Sequence, residues 1–453
     1  MKFQDGVLHI GPVSLPRLAE QFGTPFYVYD ASVIRRQIER IRQAFAGFPL
    51  QPYYAAKANS NLALLRMIAE AGFGCDAVSP GEVFLAKRAA FPSDRIWFTC
   101  SNVSDADLLQ LPDRGIVINV NSMSEIDRVT RLGLLNAIAI RVNPEVGAGH
   151  HRDVVTGGYG VKFGIDAAEL EDARLVLEDA GLEIVGLHAH IGSGVSEVQP
   201  LLESARRLVE LSERFNALRW LNFGGGLGVP YRPADQDFPI DEYARGLRAI
   251  AGEVVAARGI QAIIEPGRYV LAEAGTLVAT VTALKVSAGT TWIGCDTGFN
   301  HLTRPSRYGS YHHILNASRG DSSWLRDQMT SSTSDSDHGA IVAGNICESG
   351  DVFTREDGEL KPRRLPDTDV GDLLAFCDAG AYGFSMGSHY NARLLPPEIL
   401  VDGEAVRLIR KRQEIDDLLQ GQTDEAWQDP GATREDESEP RDEVRSSSSA
   451  ERT

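Results

Sequence analysis

Two hydrophobic rhythms alternate between residues 52 and 265. Short apolar runs rich in β-branched and aromatic residues read as buried strands, and longer stretches with a 3.6-residue period read as helices. The pattern predicts strands at Pro52–Ala56, Gly74–Val78, Arg95–Thr99, Ile116–Val120, Ala137–Val142, Ile184–His190, Arg219–Phe223 and Gln261–Glu265. Helices are predicted between them at Asn61–Ala71, Pro80–Ala90, Asp105–Leu111, Ser124–Leu132, Ala167–Ala180, Glu197–Phe215 and Ile240–Arg258. Regular alternation implies parallel strands. A doubly wound open sheet also fits such an order, but eight units over about 250 residues favour closure into a TIM (β/α)8 barrel.

The rhythm changes after about Val281. Strand-like runs such as Thr291–Cys295, Ala340–Ala343 and Asp372–Cys377 are separated by Gly, Asp and Pro, so an all-β C-terminal domain is expected. The expected division is a barrel over 31–281 and a β domain over 282–420, which residues 1–30 join through Pro25–Tyr29. Ser318–His338 reads as an exposed Ser/Asp-rich loop. Residues 421–453 form an acidic tail with too little apolar surface to order itself.

Composition narrows the function classes. The 453 residues carry a net charge of −18, which disfavours nucleic-acid binding. The tail holds ten acidic and four basic residues, a net of −6, so −12 remains for the rest. No apolar run reaches membrane-spanning length and the N-terminus lacks a leader pattern. Five scattered cysteines suit a reducing cytoplasm better than a disulfide framework.

In a barrel the chemistry gathers at the C-terminal ends of the strands, where several unusual residues fall. Lys57 ends an apolar strand. Desolvation there favours the neutral amine, the nucleophile of a carbonyl-binding lysine, although most lysines are plain surface charges. Gly224, Gly225 and Gly226 follow the seventh strand, where backbone N–H groups can approach a phosphate. Ser193 can add a hydroxyl to the same anion. His190 is a candidate to stack on an aromatic ring, but His188 points the same way and periodicity does not choose between them. Glu265 ends the eighth strand, where a buried carboxylate needs a partner. The neighbouring Arg268 is one, and a protonated ring nitrogen is another. Arg304 and Tyr308 suit a carboxylate. Tyr382 sits in a glycine-rich stretch and is either a ligand contact or a core residue. Cys347 has no second cysteine or histidine at metal-ligand spacing, so no metal site is expected.

The ordered motifs are Tyr54-Ala55-Ala56-Lys57-Ala58-Asn59, His190-Ile191-Gly192-Ser193-Gly194, Gly224-Gly225-Gly226, Glu265-Pro266-Gly267-Arg268, Arg304 with Tyr308-Gly309, Cys347-Glu348-Ser349-Gly350-Asp351 and Gly380-Ala381-Tyr382-Gly383. From about Phe22 to Leu419 the chain resembles the diaminopimelate decarboxylases, within the fold-type III enzymes that use pyridoxal 5'-phosphate. The resemblance implies that Lys57 binds the cofactor covalently and His190 stacks on its ring. Ser193, Gly224, Gly225, Gly226, Gly267 and Arg268 would hold its phosphate, and Glu265 would pair with its ring nitrogen. Arg268, Arg304 and Tyr308 would bind substrate carboxylate, and Tyr382 would touch cofactor and substrate. Glu348 would meet the far amino end of the substrate, and Cys347 would donate the proton that replaces the lost carboxylate.

In the family Cys347 and Glu348 enter the neighbouring subunit's site, so the resemblance implies a homodimer acting on a small amino acid. Glu348 stands where ornithine-type enzymes usually carry Asp, which favours meso-diaminopimelate as substrate and L-lysine as product. An ornithine, lysine or arginine decarboxylase and a non-catalytic cofactor carrier are the rival readings. His389 departs from the Asn more usual in the family.

Overall fold

The computed structural model describes residues 1–99, 101–325, 339–356 and 358–423. Cys100, most of the expected Ser/Asp-rich loop and nearly all of the expected tail lie outside the described residues.

Eight parallel strands close into a barrel: β1 (Leu50–Ala55), β2 (Gly74–Ala77), β3 (Ile96–Thr99), β4 (Val117–Val120), β5 (Ile138–Arg141), β6 (Ile184–His188), β7 (Trp220–Asn222) and β8 (Gln261–Ile264). They follow one another around the ring, and β8 pairs with β1 to complete it. The strands stop slightly earlier than the apolar runs suggest: His190 and Glu265 lie just beyond β6 and β8, in the loops of the barrel mouth.

Helices start where the sequence caps them. Asn61, Ser79 and Ser122 each accept a backbone N–H in the first turn of Leu62–Glu70, Pro80–Arg88 and Met123–Arg131. A further helix, Ala31–Ala44, buries Ala31, Val33, Ile34, Ile38 and Ile41.

Period-two alternation stacks two layers inside the barrel. Tyr53, Trp97, Val117, Ala139, Val185 and Ile263 form an apolar floor, against which Trp220 packs edge-on to Trp97. Gly74 makes room for this floor, because a Cβ there would lie 2.5 Å from the Tyr53 ring. Two residues further along, β3, β4, β5 and β7 turn polar, at Thr99, Asn119, Arg141 and Asn222. The barrel therefore has a dry base and a polar mouth.

A mixed sheet lies outside the barrel. Its order is Ile314–Asn316, Leu373–Phe376, Gly275–Ser287, Phe26–Asp30, Glu398–Asp402 and Ala405–Arg410. The long strand Gly275–Ser287 also pairs with Thr290–Cys295, which pairs with Ala340–Ala343. Phe26–Asp30 sits between Gly275–Ser287 and Glu398–Asp402, so N-terminal chain lies within the C-terminal sheet. Residues Met1–Gln413 form one compact unit. In the second unit, a short 3-10 turn at Ile415–Leu419 is capped by Glu414 and Asp417.

Candidate active site

A pocket of about 530 Å³ opens at the barrel mouth. Lys57, Asp76, Arg141, His188, His190, Ser193, Glu265, Arg268, Arg304, Tyr308 and Tyr382 line it. Asp153 and Lys162 complete its charged lining, giving five basic and three acidic side chains and favouring an anionic ligand.

Lys57 follows β1 in a single 3-10 turn, Ala56–Ala58. Its Nζ donates to Asp76 Oδ2 at 2.6 Å, and its side chain is 35 % exposed, toward the pocket. This corrects the expectation of a lysine held neutral among apolar groups. Burial lowers its pKa, but Asp76, Tyr382 and Glu265 outweigh that and raise it above the ordinary lysine value. The amine is an ammonium fixed by a carboxylate.

Glu265 is buried and does not pair with Arg268, the partner suggested by sequence proximity. Its Oε1 accepts from Asn222 Nδ2 at 2.7 Å, and its Oε2 lies 3.2 Å from His188 Nε2. Burial would raise its pKa, yet His188 and Lys57 hold it well below the usual carboxylate range. Two of its roughly four lone-pair sites are used, which leaves capacity for a further N–H donor.

The two histidines, equivalent by periodicity, separate in the structure. His188 faces Glu265, whereas His190 Nδ1 accepts the Gly225 backbone N–H at 3.1 Å. Burial, with Arg141 and Lys57 nearby, drives the His190 pKa well below its ordinary value, so the ring is neutral.

Beside Lys57 a small recess is bounded by Ser193, Gly226, Gly267 and Arg268. Side chains cannot enter from Gly225 or Gly226: added Cβ atoms would stand 2.1 Å from Glu265 O and 2.4 Å from Gly192 O. Arg268 donates to Ser193 Oγ at 2.9 Å and Tyr231 Oη at 2.6 Å, while its buried Nε has no partner. A recess of backbone, a hydroxyl and a guanidinium with an unpartnered N–H suits a phosphate. With Lys57 and the spare capacity of Glu265 alongside, the residues fit pyridoxal phosphate.

Arg304 is fully buried, with its guanidinium 4.5 Å above the Tyr231 ring and 2.8 Å from His312 Nε2. Burial lowers its pKa to about 10. Neither Arg268 nor Arg304 forms an ion pair with a carboxylate among the described residues. Tyr308 is flanked by the His150 and His151 rings at 6.4 and 5.6 Å. Tyr382 holds a left-handed φ of 57°, a conformation costing a non-glycine residue roughly 1–2 kcal/mol, and its N–H binds Ala58 O at 2.8 Å. The Arg268 guanidinium lies 4.7 Å from its ring centroid.

Cys347 and Glu348 do not line this pocket. Both are exposed, on a loop whose backbone is tied to buried Asp351 through Ile346 N, and Asp351 in turn accepts from Phe299 N of a separate segment. Cys347 N also donates to Asn391 Oδ1 at 2.7 Å. His389 is likewise outside the pocket and bonds Gln413 at 2.7 Å.

The sequence reading missed Asp76, Thr99, Asn119, Arg141, Asn222 and Tyr231. For all but Tyr231 a signal existed: a polar residue near the C-terminal end of an otherwise apolar strand.

Comparison with known proteins agrees with this geometry. Residues 31–272 match the pyridoxal-binding domain of the pyridoxal-dependent decarboxylases. A diaminopimelate decarboxylase of Methanothermobacter thermautotrophicus is 41 % identical over 430 residues, covering 92 % of this chain and 96 % of the relative. The diaminopimelate decarboxylase of Escherichia coli K12 is 38 % identical over 417 residues, covering 90 % and 95 %. The crystal structure of the Helicobacter pylori diaminopimelate decarboxylase complexed with L-lysine superposes with a TM-score of 0.79 at 31 % identity, covering 89 % of this chain and 98 % of that one.

Proposed function

Because the chain belongs to the diaminopimelate decarboxylases among the pyridoxal-dependent decarboxylases, we propose that it converts meso-2,6-diaminopimelate to L-lysine and carbon dioxide, the last step of lysine biosynthesis through diaminopimelate. The observation that carries this reading is one pocket holding Lys57 and Glu265 together with three buried arginines, Arg141, Arg268 and Arg304, that form no ion pair among the described residues. Lys57 would hold pyridoxal phosphate covalently, Glu265 and His190 its ring, and Ser193, Gly226, Gly267 and Arg268 its phosphate; the Gly224 and Gly225 N–H groups, expected from sequence to join them, are given instead to Asn222 and His190. The bound cofactor supplies an electron sink for the pair left when the carboxylate departs.

The protein's own groups do the rest. Glu265 stays ionised and presents a proton acceptor to the ring. Arg304, Tyr308 and Tyr382 fix the substrate carboxylate that is retained, with Arg268 shared between cofactor and substrate. The charge of Arg304 is strong there because it is buried. Asp76 receives the Lys57 ammonium whenever that amine is free.

Two groups come from a second copy in this reading. Cys347 and Glu348 are exposed and outside the pocket of their own chain, which supports a homodimer with shared sites. Cys347 would give its thiol proton to the substrate carbon, and Glu348 would receive the distal ammonium. The reading places the enzyme in the cytoplasm. Cys75, Cys295, Cys347 and Cys377 are free, and no helix among the described residues is long and apolar enough to cross a membrane.

The test offers meso-diaminopimelate and L-ornithine separately to protein with pyridoxal phosphate and measures released carbon dioxide. Release from diaminopimelate with lysine formed is expected. Release mainly from ornithine would keep cofactor and fold but reject the role of Glu348. No release from either would leave a cofactor carrier.

A further inference from the structure

Six buried side chains, five from barrel strands and Glu265 from just beyond β8, form one continuous line of hydrogen bonds under the mouth. Its direction can be worked out from its two ends. At one end, Asp76 is a carboxylate that only accepts, taking Lys57 Nζ at 2.6 Å and Thr99 Oγ1 at 2.7 Å. The single hydroxyl proton of Thr99 is therefore spent on Asp76, and its oxygen is left as an acceptor. Asn119 Nδ2 lies 3.4 Å from that oxygen and 2.8 Å from His188 Nδ1. This orientation leaves Asn119 Oδ1 buried without a partner, but the opposite one would strand the amide nitrogen there and turn a carbonyl oxygen toward Thr99, whose proton is already committed. His188 Nδ1 accepts, so the ring proton sits on Nε2, which faces Glu265 Oε2 at 3.2 Å.

The other end fixes the second oxygen of Glu265. The Gly224 backbone N–H can only donate, and it lies 3.0 Å from Asn222 Oδ1. That fixes the Asn222 amide, whose Nδ2 donates to Glu265 Oε1 at 2.7 Å. Both oxygens of Glu265 accept. Asn119 and Asn222 are 0 % exposed, His188 1 % and Glu265 4 %, so each depends on its neighbours in the line for its hydrogen bonds.

We propose that His188, held as the Nε2–H tautomer by Asn119, is the positioning residue that aims Glu265 at the cofactor's ring nitrogen and keeps it a proton acceptor. His188 need not touch the cofactor to act on it; its effect passes through Glu265. The inference rests on the reading of Glu265 as the ring-nitrogen partner, but not on the identity of the substrate.

Neutron diffraction from crystals of the holoenzyme tests it directly. A deuteron is expected on His188 Nε2, with none on its Nδ1 and none on the Glu265 carboxylate. A deuteron on Nδ1, in a neutral or cationic ring, would overturn the proposal. A second measurement compares pyridoxal-phosphate affinity in two variants. H188F removes the donor to Glu265 and should weaken binding about tenfold or more, as expected for a lost hydrogen bond to a charged group. H188Q keeps a donor and should stay within a few-fold of the parent. Equal losses in both would reduce His188 to packing and reject the positioning role. If H188F does not fold, the proton map still decides. The expected proton map without carbon dioxide release from diaminopimelate would reject the proposed substrate and leave this inference standing.

Discussion

Replacing Asp76 with Asn should make Lys57 a faster nucleophile toward the cofactor. In the parent, the Lys57 ammonium donates to Asp76 Oδ2 at 2.6 Å while Thr99 donates to the other oxygen. Asparagine is isosteric, and its carbonyl can keep the Thr99 bond. Its amide nitrogen then faces Lys57 Nζ, an arrangement compatible with a neutral amine and not with an ammonium. The bare Coulomb energy of such a pair is about 6 kcal/mol at an effective dielectric constant near 20, an upper bound. Lys57 is 35 % exposed, so solvent screens it, and a charge-assisted hydrogen bond of about 1.5–3 kcal/mol is the better measure. At about 1.4 kcal/mol per decade, the amine fraction below the pKa rises about ten- to a hundredfold. Stopped-flow absorbance of cofactor-stripped protein mixed with pyridoxal phosphate reads this as the capture rate. The parent rate should climb with pH as the ammonium deprotonates, and the variant should show the same climb displaced to lower pH. A variant that captures no faster than the parent between pH 7 and 8 would refute the reasoning, because Asp76 would then not be what holds Lys57 charged.

Lys57→Ala should abolish turnover, and Cys347→Ala should slow it severely while leaving the cofactor's visible absorbance intact. Mixed and reassembled, the two variants should recover about a quarter of parent activity, since half the dimers are mixed and each carries one complete site; no recovery would exclude shared sites. Arg304→Met removes a buried cation that forms no ion pair among the described residues. It should raise KM for diaminopimelate at least tenfold, while Tm rises by about 1–2 °C because the desolvation cost of the charge disappears. Glu82 is pushed up to about 7 by burial, although the Val78 backbone N–H and Lys57 oppose that. Its folded pKa exceeds its unfolded one, so its contribution is fully present below about pH 4.5 and is lost as pH rises through about 7. Glu82→Gln should therefore be more stable than the parent above pH 7, by up to about 3 kcal/mol, as urea titrations at pH 5 and pH 8 would show.

The barrel was legible because its strands are buried on both faces and its helices on one, so strand runs and helix periods stand out along the chain. The strand ends were less legible, since backbone bonds such as Glu265 N–H to Gly224 O, at 2.8 Å, carry the strand-like pattern a little beyond β6 and β8. Lys57, Glu265, Arg268 and the glycine run could be singled out because each is chemically odd in its setting. Asn119, Asn222 and Thr99 are common residues near strand ends, and nothing in one dimension marks them as neighbours of Glu265 or Asp76. The equivalence of His188 and His190 could not be broken by periodicity either. It is broken by what faces each ring, Glu265 in one case and Gly225 N–H in the other.

The sequence by itself determined the closed barrel and singled out most of the side chains that the structure gathers at its mouth. These follow from local rules: burial pattern, backbone freedom at glycine and the cost of burying charge. The tertiary structure alone decided the protonation of Lys57, the partners of Glu265 and the placing of Cys347 outside its own chain's pocket. Each of these depends on which distant residue lies within about 3 Å, the range over which a hydrogen bond or buried charge acts, and that is settled only when the strands close into a ring.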